Sequence, residues 1–239
     1  MTTLHLCALL LALAPLVGAT AVAAPDRETE FRARRIALVR DIEAKGVRDS
    51  ATLAAMRRVP RHEFVLPHDR DQAYGDHPLP IGHGQTISQP YIVAYMTEVL
   101  RPRPGLKVLE VGTGSGYQAA VLAQIGCAVR TIEIFKPLAD SARARLRRLG
   151  YRDVTVRHGD GHFGWQDEAP FDAVIVTAAA GYIPPRLVEQ LRPGGHMVIP
   201  VGSVYGVQSL VLVDKGRDGR LRTRSLLPVR FVPMLKGRR

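Results

Sequence analysis

Cysteine is nearly absent from this chain of 239 residues: only Cys7 and Cys127 occur. Two thiols cannot build the disulfide framework of a small secreted scaffold. Cys127 enters an apolar stretch, "GCAVRTIE", where a packed, inert thiol is expected. Long apolar runs are also missing after the first 25 residues, so no membrane span is expected in the remainder. Several signatures are lacking as well. No Gly-Lys-Ser/Thr follows the glycine-rich turn, which excludes a phosphate loop. Thr113 and Tyr117 flank Ser115 at the positions where a hydrolase elbow needs glycine. Of the eight histidines, His62, His68, His77 and His83 share a region, but none of these four has a close ligand spacing such as His-x-x-x-His, and no metal site is expected.

Charge is abundant and one-sided. Lysine and arginine number 33 against 22 acidic residues, a net charge of +11. Such a balance favours anionic partners without specifying a fold. The densest basic stretch, "KGRDGRLRTRS", has no aromatic residues interleaved, so nucleic-acid binding is not expected. By contrast residues 1 to 25 carry no Asp, Glu, Lys or Arg, and they end in small residues with Ala-x-Ala at Ala21 to Ala23. This resembles a secretory leader, here taken as residues 1–24, with one domain over 25–239. Export, to the periplasm, is the expectation; the alternative is a cytoplasmic protein, since the leader lacks a basic start.

Residues 26–46 read as an amphipathic helix closed by Gly46, and residues 49–60 as a second, capped by Asp49 or Ser50 and stopped by Pro60. Residues 66–90, rich in His, Pro and Gly, show no period and read as a long irregular loop, usually functional in a compact domain. "YIVAYMTEVL" is a further helix. Strands follow at "KVLEVG", "AVRTIEI", "VTVRHG", "FDAVIVTA" and "HMVIPVG", with helical stretches between the first four. Near-continuous apolar runs suit strands buried on both faces of a parallel sheet. Gly194-Gly195 reads as a helix-to-strand turn, and residues 207–234 as a closing antiparallel pair. The whole is one α/β domain with a helical N-terminal portion.

"VLEVGTGSGYQAA" sets three glycines, Gly112, Gly114 and Gly116, between a strand and a helix. Their spacing differs from the dinucleotide fingerprint. Glu110 would repel a pyrophosphate at close range but suits a ligand bearing ammonium and sulfonium charges. S-adenosylmethionine is such a ligand. Glu133 ends the second strand, where a carboxylate can accept from both ribose hydroxyls. Asp160-Gly161 follows the third strand, at the expected adenine edge. His83 and His162 are weighed as pocket residues against ordinary loop histidines. Trp165 and Tyr182 are expected to pack rather than stack on a ligand.

With these residues in hand, the chain resembles the protein-L-isoaspartate O-methyltransferases. The matching stretches include "VPRHEFV", "AYGDHPLPIGHGQTISQPYIVAYMTEVL", "VLEVGTGSGYQAAVLA", "HGDGHFGW", "APFDAVIVTAAA", "IPPRLVEQLRPGGHMVIPVG" and "VRFVPM". The resemblance implies a Rossmann-like methyltransferase fold with a doubly wound, mostly parallel sheet. It implies S-adenosyl-L-methionine as cofactor and damaged proteins or peptides containing isoaspartyl residues as substrates. Gln85, Thr86, Ile87 and Ser88 match the loop between cofactor and substrate, with Ser88 at the family's active-site serine. Thr113, beside the three glycines, joins the cofactor set with Glu110, Glu133, Asp160 and Gly161. Thr177, Ala178, Ala179 and Val232 match the substrate side. Two positions depart from the family pattern: Tyr91 stands where some members have histidine, and Leu235 where threonine is common. A monomer is expected. Two other readings fit the glycine loop: a methyltransferase of the same fold acting on a small acceptor, and a non-catalytic exported binding protein.

Overall fold

The computed structural model describes residues 26–237; the leader expected at residues 1–24 lies outside them. Helix α1 (Arg27–Ala44) starts where the Asp26 carboxylate accepts the Thr29 amide at 2.7 Å. Helix α2 (Ser50–Arg58) repeats the device, with Asp49 accepting from Thr52. Each cap satisfies an amide that the first helical turn cannot. Pro60 then prevents continuation.

The stretch read as an irregular loop is more ordered than expected. It holds a 3-10 turn (Pro67–Gln72) and a small antiparallel hairpin of β1 (Leu79–Gly82) and β2 (Gln85–Ile87). Strands of four and three residues are too short for alternation to be visible in sequence. Helix α3 (Pro90–Val99) follows, with proline in its first turn, where a missing N–H costs nothing.

The α/β region runs β3 (Lys107–Val111), α4 (Tyr117–Ile125), β4 (Ala128–Glu133), α5 (Lys136–Arg148), β5 (Val154–His158) and β6 (Phe171–Val176). It continues with α6 (Pro185–Gln190), β7 (Leu191–Gly202), β8 (Gln208–Lys215) and β9 (Leu221–Val229). The seven strands lie in the order β5-β4-β3-β6-β7-β8-β9. The first five are parallel, and β8 and β9 fold back antiparallel. Two expectations are corrected. Between β5 and β6 there is no α-helix, only the 3-10 turns Gly161–Phe163 and Gln166–Glu168, because Gly159, Gly161, Gly164 and Pro170 break any longer helix. Gly194-Gly195 falls within a register irregularity of β7, after α6 has already ended at Gln190.

The core lies on both faces of the sheet. Val108, Val129, Ala173 and Val198 pack with α3 and α4, while Leu109, Val174, Met197 and Leu187 pack on the other face. Cys127 is fully buried, and burial pushes its thiol up to about 11, as expected of an inert packed group. From β3 the chain winds one way to β4 and β5 and the other way to β6 and β7. The crevice at the carboxyl ends beside β3 is therefore the switch point where such sheets bind ligands.

Candidate active site

The glycine turn is built by constraints on two sides. Gly112 has φ +101°, and a Cβ there would meet the Thr177 hydroxyl at 2.5 Å. That hydroxyl donates to the Gly112 carbonyl at 2.6 Å, joining the end of β6 to the turn after β3. On the other side the Glu133 carboxylate accepts the Gly114 amide at 2.8 Å and the Phe135 amide at 2.9 Å. A third closure comes from Gly161, where a Cβ would lie 2.3 Å from a Val111 methyl.

These contacts border a cavity at the carboxyl ends of the central strands. Of the expected residues, Gln85, Thr86, Ile87, Ser88, Glu110, Gly112, Thr113, Gly114, Glu133, Gly161, Thr177, Ala178 and Val232 line it. Gly116, Asp160 and Ala179 do not, and each has another place. Gly116 caps α4 against Leu146. Asp160 accepts from His162 and from the Gly237 amide at 2.8 Å. Ala179 exchanges backbone hydrogen bonds with Val232 and Met234, both at 2.8 Å. Asp160 and Ala179 thus hold the C-terminal segment beside the cavity.

Sequence reasoning missed several walls: Tyr117, Ile134, Phe135, Pro233 and Met234. Ile134 and Phe135, directly beyond Glu133, carried a local signal, as large apolar residues following an acidic strand end. Leu235, one of the two departures, also lines the cavity, whereas Tyr91 lies outside it and stacks on Tyr95 at 6.0 Å. His83 stacks on Phe135 at 5.8 Å, and His162 is bound to Asp160; neither lines the cavity. Trp165 packs beneath the Arg157 guanidinium and against the core, but Tyr182 is 52% exposed and does not pack as expected.

Glu110 is the electrostatic anomaly. It is fully buried at the cavity, and neither carboxylate oxygen has a hydrogen-bond partner among the described residues. Burial pushes it up to about 8; the adjacent Thr131 hydroxyl opposes the rise and the Glu133 charge adds to it. A buried acceptor left unpaired is costly unless a ligand completes it. A cation-bearing ligand of nucleoside type fits: an ammonium for Glu110, amides from the glycine turn, and remaining acceptor capacity on Glu133.

A second hollow adjoins the first. The two share Thr86, Ser88, Thr177 and Val232 as a common wall. Apolar residues, among them Ile92, Pro228, Val229 and Phe231, form much of its lining. The arrangement brings one ligand in the deep cavity against a second in an open groove. Among the described residues no cluster of three or more His, Cys, Asp or Glu could hold a metal ion, and no helix is long and apolar enough to cross a membrane.

Comparison with known proteins follows the same lines. The model of the protein-L-isoaspartate(D-aspartate) O-methyltransferase family matches residues 33–239. A protein-L-isoaspartate O-methyltransferase 2 of Polaromonas sp. is 59% identical over 83% of this chain and 95% of its own length. A protein-L-isoaspartate O-methyltransferase 2 of Syntrophobacter fumaroxidans is 52% identical over 96% of both chains. Among solved structures, a putative protein-L-isoaspartate O-methyltransferase from Plasmodium falciparum in complex with S-adenosyl-L-homocysteine aligns with a TM-score of 0.73 at 26% identity, over 85% of this chain and 99% of that one. A further structure titled protein-L-isoaspartate O-methyltransferase aligns at 0.75 with 28% identity over 83% of this chain, which spans 65% of that longer one.

Proposed function

This chain belongs to the protein-L-isoaspartate(D-aspartate) O-methyltransferase family, and from that premise we infer that it transfers a methyl group from S-adenosyl-L-methionine to the α-carboxylate of L-isoaspartyl residues in damaged proteins and peptides. The observation that carries the reading is the common wall of Thr86, Ser88, Thr177 and Val232 between the cavity at the glycine turn and the adjoining groove. A repair enzyme must bring a small cofactor and a peptide to one point from two sides.

When bound, S-adenosylmethionine would supply an electrophilic methyl group: the isoaspartyl carboxylate takes it as a methyl ester, the sulfur–methyl bond breaks, and S-adenosylhomocysteine is left. The chain's own residues act by holding and aligning. Glu110 meets the ammonium, the glycine turn offers amides, and Glu133 receives the ribose hydroxyls through its remaining lone pairs. The substrate carboxylate is ionised at neutral pH, its ordinary pKa being about 3.5. No strong base is needed, so rate comes from proximity and alignment. The Ser88 hydroxyl donates a hydrogen bond that orients the carboxylate and forms no covalent link. The small side chain of Ala178, beside Thr177 on the cavity wall, leaves space where cofactor and substrate meet.

The direct test is methyl transfer to an isoaspartyl peptide and to its normal aspartyl twin. Methylation of the first alone is expected; equal transfer to both, or to neither, would overturn the reading.

Export belongs to the same proposal. Support comes from the uncharged leader with Ala-x-Ala at 21 to 23, which predicts cleavage after Ala23. N-terminal sequencing of protein from fractionated native cells is the check. An intact Met1 or Thr2 terminus in the cytoplasmic fraction would remove it without touching the enzymatic reading.

A further inference from the structure

Arg230 is the one charged side chain among the residues lining the open groove. It is exposed, and among the described residues no carboxylate forms an ion pair with it, in contrast to Arg192 with Asp172, His196 with Asp214 and Arg220 with Asp218. Its backbone is nonetheless fixed. Val229 is buried and pairs in register with Gln208, and the Phe231 amide donates to the Gln208 side-chain oxygen at 2.9 Å. Gln208 is itself buried and donates to the carbonyls of Ser203 and Gly206, at 2.6 and 2.9 Å. A guanidinium unpaired among the described residues is therefore carried on a fixed stretch of backbone at a groove whose other lining residues are uncharged.

We propose that Arg230 is a specificity-determining residue that selects isoaspartyl peptides carrying a second carboxylate close to the damaged residue. The inference rests on the isoaspartyl reading of the site and deepens it. Arg230 does not line the cofactor cavity, so its charge addresses the outer groove rather than the reacting carboxylate. Val232, on the common wall, is two residues along the chain, at most about 7 Å away backbone to backbone. An extended peptide covers that distance, plus the reach of the arginine, in one to three residues. The preferred anion accordingly sits one to three positions from the isoaspartyl residue. A planar guanidinium suits a carboxylate by paired hydrogen bonds, and the excess of 33 basic over 22 acidic residues supports the same sign of partner.

The test uses the full chain and isoaspartyl peptides blocked at both ends, differing only in Glu, Gln or Lys at flanking positions. One further Gln peptide carries a free C-terminal carboxylate, to separate a chain end from an acidic side chain as the source of the anion. Values of kcat/KM should rank Glu above Gln above Lys, with about fivefold between Glu and Gln, as a partly exposed ion pair allows. The difference should appear in KM and shrink in high salt. Arg230→Gln should flatten the order and Arg230→Glu should invert it. An advantage confined to the free C-terminus would support the carboxylate site and assign it to chain ends. An unchanged order in Arg230→Glu, or equal kcat/KM for all peptides in the unmodified protein, would overturn this inference alone. Absence of methylation on every isoaspartyl peptide would remove the underlying reading and this one with it.

Discussion

Glu133 Oε2 accepts the Gly114 amide at 2.8 Å, so the carboxylate that ends β4 also holds the glycine turn that follows β3. Its other oxygen accepts the Phe135 amide, which fixes a cavity wall. One buried side chain therefore shapes the cavity and offers it acceptors.

Replacing Glu133 should show both roles. Glu133→Ala should weaken S-adenosylhomocysteine binding by about 1.5–3 kcal/mol, the scale of a lost charged hydrogen bond. It should also lower stability, because two amides lose their acceptor. Glu133→Gln keeps an oxygen for one amide and should recover much of the stability but little of the affinity. Calorimetry and thermal melting on both variants give the comparison; unaltered affinity in folded Glu133→Ala would take the residue out of the site.

Glu110 makes the site sensitive to pH. Its ordinary value is 4.5 and burial raises it to about 8. Between those values the ligand-free folded protein holds a proton that the unfolded chain has released. Stability of the ligand-free protein should therefore fall as pH rises through that window. Glu110→Gln should remove this dependence. A ligand ammonium favours the charged carboxylate, so binding at pH 7 should release a proton and strengthen as pH approaches 8. Titration calorimetry in two buffers of different ionisation enthalpy counts that proton, and a count of zero would refute the pairing.

Ser88 lies on the common wall and has no covalent task. Ser88→Ala should lower kcat for methyl transfer while leaving S-adenosylhomocysteine affinity closer to normal. Mass spectrometry during turnover should find no methyl-serine or peptidyl-serine adduct; either would refute the aligning role.

Gly112→Ala should be damaging for steric reasons. Its φ of +101° disfavours any side chain, and the added methyl would start 2.5 Å from the Thr177 hydroxyl. A loss of more than about 1 kcal/mol in stability is expected from the backbone conformation and the clash together. Pairing it with Thr177→Ala relieves the clash alone, so the double variant should recover part of the loss. Denaturant melts would show otherwise if the two losses simply added.

Much of this site was legible in the chain itself. Strands β3 and β6 are largely apolar runs buried on both faces, which leaves little room for polar substitution, so their positions follow from composition. Glu110, the glycines and Glu133 stand at strand ends, where the parallel sheet gathers its ligand contacts. The hairpin β1–β2 was not legible, since three or four residues give no measurable period.

The sequence alone determined the α/β class, the glycine turn and the acidic strand ends, because each depends on residues within one or two turns of chain. Tertiary structure decided the rest. Asp160 reads as a ligand contact, and the fold in addition has it accept the Gly237 amide, 77 positions away. Ala179 reads as substrate wall but pairs with Val232 and Met234. Leu235 reads as a departure but lines the cavity. Thr86 and Ser88 come from the N-terminal hairpin and Thr177 and Val232 from the far half of the chain, yet they meet as one wall. Local periodicity carries no information about such meetings; they are fixed by strand order and by where the C-terminal segment finds hydrogen-bond partners for its backbone.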